Sequence, residues 1–463
     1  MRFWVLAFVL SLTTTPVFSQ VRTLDQALEA ASKNGAVARE FEARLAKAEA
    51  QQFRADYAWT PKLQSTFIFS VVPGEAELDQ FANNIDQYLD FNFGPYLRNE
   101  TRIMVPLYTF GKLSNAQDLA ALGVDVAQLQ REEARRDMEF QVTRAFFTVQ
   151  LARSFQTLLD EGTELIKPKL AEMEEERDFG EATFSTEDFR KLQIFDAEFD
   201  TRVLDNRKLA SIARAGLGYL TGWEGEVEIA ELPTPPLASL VTQEQAHELA
   251  IQNRPDLKML LRGVRARELT RQKAINDYYP NVFAVARLGF GVSTESIALK
   301  EVCRKPTPSS ECIDTNDLYA RPYSNPLSFL SFDVALGLEW SFDFVQLLGK
   351  HREADAELQE MMAKQDRAVG AIRLEVEKLW TEAALSREKV LIQEKRLDAA
   401  RRWRDQFGLT VQTAGGDISK GIDPLKAYFE ARVGFLQSHY EYRVARAALA
   451  KGLGLNEVPE SFE

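Results

Sequence analysis

Leu327–Asp343 reads LSFLSFDVALGLEWSFD. From Leu330 onward every second residue is large and apolar: Leu330, Phe332, Val334, Leu336, Leu338, Trp340 and Phe342. Ser331, Asp333, Ala335, Gly337, Glu339 and Ser341 stand between them. Successive side chains of a strand point to opposite faces. The spacing therefore predicts a strand with one apolar face and one wet or crowded face. Most of the rest of the chain has the composition and spacing of long charged helices. A two-faced strand in such a chain needs something to cover its apolar side.

Three more segments alternate in the same way. KLQSTFIFSVV puts Phe67, Phe69 and Val71 on one face. In LDFNFGPYLRNETRIMVPLY, Leu97, Asn99, Thr101, Ile103, Val105 and Leu107 oppose Tyr96, Arg98, Glu100, Arg102 and Met104. In NVFAVARLGFGV, Val282, Ala284, Ala286, Leu288, Phe290 and Val292 share a face, with Arg287, Gly289 and Gly291 on the other. Large apolar residues opposite charges are the pattern of a transmembrane barrel wall, with lipid outside and water inside. Tyr57, Trp59, Tyr278, Tyr279, Trp340 and Phe342 fall at strand–helix junctions, which suits an interfacial girdle. The other reading is a soluble β-hairpin packed on its own helices, but these helices are too long and too polar to cover it. Four strands cannot close a membrane barrel, whose smallest examples have about 8. Unpaired edges are prohibitive in lipid. Other copies of the chain must then complete the sheet, and the pattern itself sets no copy number.

The chain contains its own repeat, which governs the rest of the fold. Thr23 opens TLDQALEAASKN and Thr242 opens TQEQAHELAIQN, each threonine placed as an N-cap. Each copy continues through a long helical stretch to aromatics and a proline, Tyr57, Trp59 and Pro61 in one and Tyr278, Tyr279 and Pro280 in the other. Strand sequence follows at once in both. Gly111-Lys112 and Gly349-Lys350 then mark a switch into long helices, expected over about 112–179 and about 350–413. Gly180 precedes Asp188 by the interval that separates Gly415 from Asp423, and Lys191 and Lys426 follow those aspartates at one spacing. The flanking helices, expected over about 23–59 and 188–220, together match the long one, which at about 1.5 Å per residue is near 100 Å. The divisions are a leader over 1–19, a first repeat over 20–222, a linker over 223–240, a second repeat over 241–456 and a tail over 457–463. The linker region holds EVEIAELPTPPLASL, with its three prolines.

The leader MRFWVLAFVLSLTTTPVFSQ has a basic Arg2, an apolar run from Phe3 to Leu12, and small residues Val17 and Ser19 before Gln20. That is the layout of a secretory signal peptide, and the run is short of the roughly 20 residues a spanning helix needs. Export permits a disulfide between Cys303 and Cys312 across RKPTPSSE; two free thiols are the other possibility. A net charge of −13 argues against nucleic acid as a partner. Three histidines and two cysteines leave little for a transition-metal site, and no cofactor is expected. Gly-x-Ser-x-Gly, His-Glu-x-x-His and phosphate-cradling loops are missing, so the chain is not expected to be an enzyme. The acidic balance would either favour cations in a water-filled lumen or serve solubility alone.

With the duplicated helix starts, RPDLKMLLRGVRARELTRQKAINDYYPNV, the Gly-Lys helix starts and the Gly-to-Asp turns, the chain resembles the TolC-like outer membrane efflux family. The resemblance spans nearly the whole chain after the leader, in both halves. It implies a mainly α fold with β: two tandem repeats of helix, β-hairpin and long helix. These would build a long periplasmic α-helical barrel and a transmembrane β-barrel shared between subunits. It further implies a homotrimer with a twelve-stranded barrel, four strands per chain, seated in outer membrane lipid. The partners implied are a periplasmic adaptor (membrane fusion) protein and an inner-membrane pump. The activity implied is that of a passive exit duct in tripartite efflux or type I secretion. In the family, acidic residues after a glycine-containing turn ring the closed periplasmic end. Asp423 matches that position, with Asp188 its counterpart in the other hairpin. Lys426 stands where the family prototype has a second aspartate, and Lys191 is its counterpart. An Asp423–Lys426 pair at i,i+3 would partly neutralise itself. Asp423 and Pro424 equally suit an ordinary helix start. The turns at Gly180 and at Gly415 and Gly416 are the adaptor-docking tips that the resemblance implies. A soluble periplasmic coiled-coil structural or adaptor protein is the competing reading, separated from a duct by membrane fractionation.

Overall fold

A computed structural model describes residues 21–34, 36–73, 93–180, 184–223, 227–234, 237–293, 329–414 and 422–459. The leader, Cys303, Cys312, Gly415 and Gly416 lie outside the described residues. In chain order come α1 (Leu24–Asn34), α2 (Ala36–Asp56), β1 (Lys62–Pro73), β2 (Phe93–Tyr108), α3 (Lys112–Asp178) and α4 (Thr186–Thr221). They are followed by α5 (Gln243–Asn253), α6 (Pro255–Asn276), β3 (Asn281–Ser293), β4 (Phe329–Glu339), α7 (Phe344–Ala414) and α8 (Ile422–Gly452). The protein is mostly helical with one small antiparallel sheet, in two matching halves.

Two compact units form. One is made of Met1–Glu49, Gly123–Val264 and Glu360–Glu463, the other of Ala50–Leu122 and Arg265–Gln359. Each unit draws on both sequence repeats, because α3 and α7 contribute residues to both.

The smaller unit holds the sheet, in the order β1-β2-β3-β4 with every pair antiparallel. Residues directly opposite across such a pair share a face. Phe69 pairs with Leu97, Leu97 with Val292, Phe290 with Leu330, and Leu288 with Phe332. Val334, Leu336 and Leu338 continue the row against Ala286, Ala284 and Val282. The four alternations thus merge into one apolar face. Phe69, Leu330 and Leu336 on it are 78%, 79% and 77% exposed, so nothing among the described residues covers it. The outer edges of β1 and β4 pair with no other strand among the described residues. Asn99, the polar intruder on this face, is 3% exposed. Its amide donates to Ser65 Oγ at 2.9 Å, Thr101 Oγ1 donates to Asn99 Oδ1 at 3.0 Å, and the two hydroxyls lie 2.8 Å apart. The three side chains satisfy one another, as polar groups away from water require.

Beneath the sheet, Phe110 (φ 50) and Gly111 (φ 81) turn the chain from β2 into α3. Lys112 Nζ donates to the Tyr279 carbonyl at 2.8 Å, and the Trp340 indole donates to the Tyr278 carbonyl at 3.0 Å. Phe110 stacks on Tyr279 at 5.4 Å. Tyr278, Tyr279 and Trp340 of the expected junction aromatics, with Phe110, therefore meet here. Strand β4, however, stops at Glu339, and Trp340 leaves it to make that indole bond. The second long helix also begins earlier than Gly349-Lys350. The Asp343 side chain accepts from the Gln346 N–H, capping a helix that starts at Phe344. Gly349 is interior to α7, so the two Gly-Lys pairs are not structural counterparts.

In the larger unit, the Thr-x-x-Gln starts are reciprocal capping boxes in both repeats. Thr23 and Gln26 bond each other's backbone N–H, and Thr242 and Gln245 do the same. Expected as one helix each, 23–59 and its counterpart are two: α1 with α2, and α5 with α6. Pro255 explains the second break. It sits at the first position of α6 and forces Arg254 out of helical backbone, to φ −62 and ψ 123. Arg254 then fills the gap, bonding Asp256, Glu375 and the Gly452 carbonyl. Burial pushes the Asp256 carboxyl up, but Arg254 and the Leu257 and Asp256 backbone N–H groups together hold it below its usual value. Gly454 passes so close that a Cβ there would lie 2.8 Å from the Asn253 carbonyl carbon. The core is divided along the helices into three clusters. One centres on Ala27, Val142, Phe146 and Leu217, a second on Ala250, Leu257, Val376 and Leu449. The third, on Phe189, Phe199, Tyr428 and Phe429, ties α3, α4, α7 and α8 together.

Candidate functional site

The third cluster carries the expected gate residues, because α4 and α8 both begin there. Ser185 caps α4, its hydroxyl accepting from the Asp188 N–H at 3.1 Å and donating to the Asp188 carboxylate. Asp188 thus serves the helix start and is partly buried. Lys191 pairs with Glu187 at 2.9 Å and lies 3.9 Å from Asp188. The Glu187 carboxylate, with Asp188 and Asp423 adding to it, raises the Lys191 ammonium above its usual range. Asp423 of α8 therefore sits within the field of Lys191 of α4. It is exposed, beside a buried Pro424.

Lys426 does not pair with Asp423, as the i,i+3 spacing suggested. It crosses to α4 and donates to Glu198 at 2.8 Å, over the Phe195 ring at 5.8 Å. A lysine stem packed on an aromatic face fixes the direction in which the ammonium points. Asp188 and Lys191 are thus tied along α4, whereas Lys426 is tied across to the other hairpin. Glu198 is the member that sequence reasoning missed. Its signal was available: it lies seven residues after Lys191, on the same face of α4.

Behind this cluster, Phe199 packs edge-on against Phe195 at 6.0 Å and Phe429 at 5.6 Å. Arg404 of α7 lies over the Tyr428 ring at 4.1 Å. Arg432 bonds the Tyr428 hydroxyl at 2.9 Å and Glu161 of α3 at 2.8 Å. Gly180 (φ +74) makes the turn after α3 and is exposed. Its expected companions Gly415 and Gly416 lie outside the described residues. Among the described residues no His/Cys/Asp/Glu group could hold a metal, and no helix is long and apolar enough to cross a membrane.

On the sheet, the face opposite the apolar one carries Lys62, Arg98, Glu100, Arg102, Arg287, Asp333 and Glu339. Gly337 on this face admits the Phe283 ring, which a Cβ would meet at 2.3 Å. This face is wet at its charges and packed at Phe283, Val285 and Met104.

No family model and no curated protein matches the chain. Solved structures do. The CmeC outer membrane channel of Campylobacter jejuni matches with a TM-score of 0.72 at 12% identity, over 95% of this chain and 87% of that one. A membrane protein from Pseudomonas aeruginosa matches at 0.71 and 15% identity, over 94% and 91%. The open state of the Neisseria gonorrhoeae MtrE outer membrane channel matches at 0.68 and 13% identity, over 94% and 89%. Identities this low speak to architecture, and they cover nearly all of each chain. The helix–β-hairpin–long helix repeat and the four-stranded sheet are therefore those of the outer membrane channels: the protein has the TolC-like fold.

Proposed function

We propose that this chain is the outer membrane exit duct of a tripartite efflux or type I secretion system. A homotrimer would share a twelve-stranded barrel. The observation that carries this is the apolar sheet face, continuous across four strands, which among the described residues is uncovered and bounded by two unpaired edges. Lipid covers such a face, and only further copies can pair such edges in lipid. The helices extend into the periplasm and meet an adaptor protein, and through it an inner-membrane pump. Gly180, Gly415 and Gly416 mark the docking turns. Asp188, Lys191, Asp423 and Lys426 close the periplasmic end, with Glu198 holding Lys426. The duct is passive and uses no cofactor. Fractionation of cells expressing the full chain, followed by planar-bilayer recording of the detergent-extracted protein, tests this. Recovery in the outer membrane as an oligomer that conducts ions is expected. Recovery in the soluble periplasm without detergent would overturn it.

A further inference from the structure

The charged face of the sheet holds an arrangement that strand pairing alone disfavours. Register places Arg102 of β2 directly opposite Arg287 of β3. Like charges across an antiparallel pair destabilise it, by up to about 1 kcal/mol. The flanking cross-strand partners are Gln64 on one side and Asp333 on the other. Neither arginine has a carboxylate within ion-pair distance among the described residues. Arg102 makes only a long contact with the Met104 sulfur, at 4.0 Å. Both arginines are exposed. Arg98, the third arginine of this face, differs: it pairs with Glu100 at 3.4 Å and lies over the Phe329 ring at 5.8 Å. Beyond Arg287 on the same face comes Gly289, where the Ser331 hydroxyl and the Phe329 ring occupy the space a side chain would take, so the two guanidinium groups have no third long side chain between them and that packed end.

We propose that Arg102 and Arg287 form an anion-binding station, taking small polyanions that carry phosphate groups or several carboxylates. Two adjacent guanidinium groups present planar donor forks that match such oxygens, and a bound polyanion relieves the repulsion between them. The inference rests on the duct reading, under which this face lines the conduit and the station recurs in every copy. It runs against the chain's net charge of −13, which would otherwise favour cations.

The test is ion conduction by the full-length oligomer in planar bilayers at low salt, with tripolyphosphate as the probe. Tripolyphosphate is expected to block the wild-type current. The double variant Arg102→Gln/Arg287→Gln should raise the half-blocking concentration about tenfold or more, since both guanidinium contacts are lost. Arg98→Gln, which leaves the pair intact, should move it less than about twofold. Conduction with no block in wild type, or a block unchanged in the double variant, overturns the station while leaving the duct standing. An equal loss in Arg98→Gln overturns it too, as general surface charge would then be the cause. No conduction by the wild type overturns both readings.

Discussion

At the scale of single residues, a glycine decides how closely two helices approach. Gly162 of α3 faces Phe199 of α4, and a Cβ at 162 would lie 2.1 Å from the Phe199 ring. Phe199 is 3% exposed and locked between Phe195 and Phe429, so it cannot turn aside. Alanine is the better helix former by about 1 kcal/mol, yet overpacking here costs about 1–3 kcal/mol. Gly162→Ala is therefore expected to lower the thermal midpoint of the helical circular-dichroism signal. A raised midpoint would mean that propensity governs and the contact does not. Nothing in the local sequence marks Gly162 as different from Gly123, which has open space around it. The distinction lives in a partner 37 residues away. Asn99 is similar: alternation placed it and Thr101 on the apolar face, but only the register supplies Ser65 to complete the set.

At the scale of elements, the start of α8 is joined to α4 by opposite charges. The Lys426 ammonium beside Glu198 holds that carboxyl below the usual glutamate range. A depressed folded pKa means the tie is complete near neutrality. It is lost as pH falls through that lowered value. Both groups are well exposed, so little stability is at stake and the consequence is mechanical. Conductance of the reconstituted oligomer should step up on acidification, and Glu198→Gln should abolish the step. An identical pH profile in the variant would remove Glu198 from the gate. The sequence marked both helix starts and their aspartate–lysine spacing. It paired Lys426 with its nearest acid, Asp423, because i,i+3 neighbours are all that one helix displays. The true partner lies 228 positions away, on a helix that only packing brings near. The α5–α6 break is the opposite case, since Pro255 announced it and a longer helical pattern masked it.

At the scale of the whole molecule, the two faces of the sheet predict opposite tolerance to charge. Val334 is on the uncovered apolar face and Ala335 is its neighbour on the charged one. An arginine facing lipid costs about 2–4 kcal/mol near the bilayer midplane. Val334→Arg should therefore deplete the membrane-inserted oligomer, measured by outer membrane fractionation and heat-modifiable migration, while Ala335→Arg inserts normally. Equal depletion by both would mean that the apolar face is not the lipid face.

The sequence by itself determined the period-two strands, their apolar faces, the doubled helix–hairpin–helix order and the threonine caps. These are local patterns, set by the geometry of one strand or one helix turn, and a chain displays them before it folds. Tertiary structure alone decided the merging of four alternations into one face, the exchange of Lys426 from Asp423 to Glu198, the close approach at Gly162 and the Arg102–Arg287 pair. Each needs two segments distant in sequence to meet at a particular register. Long, exposed side chains take whichever partner that register brings within reach.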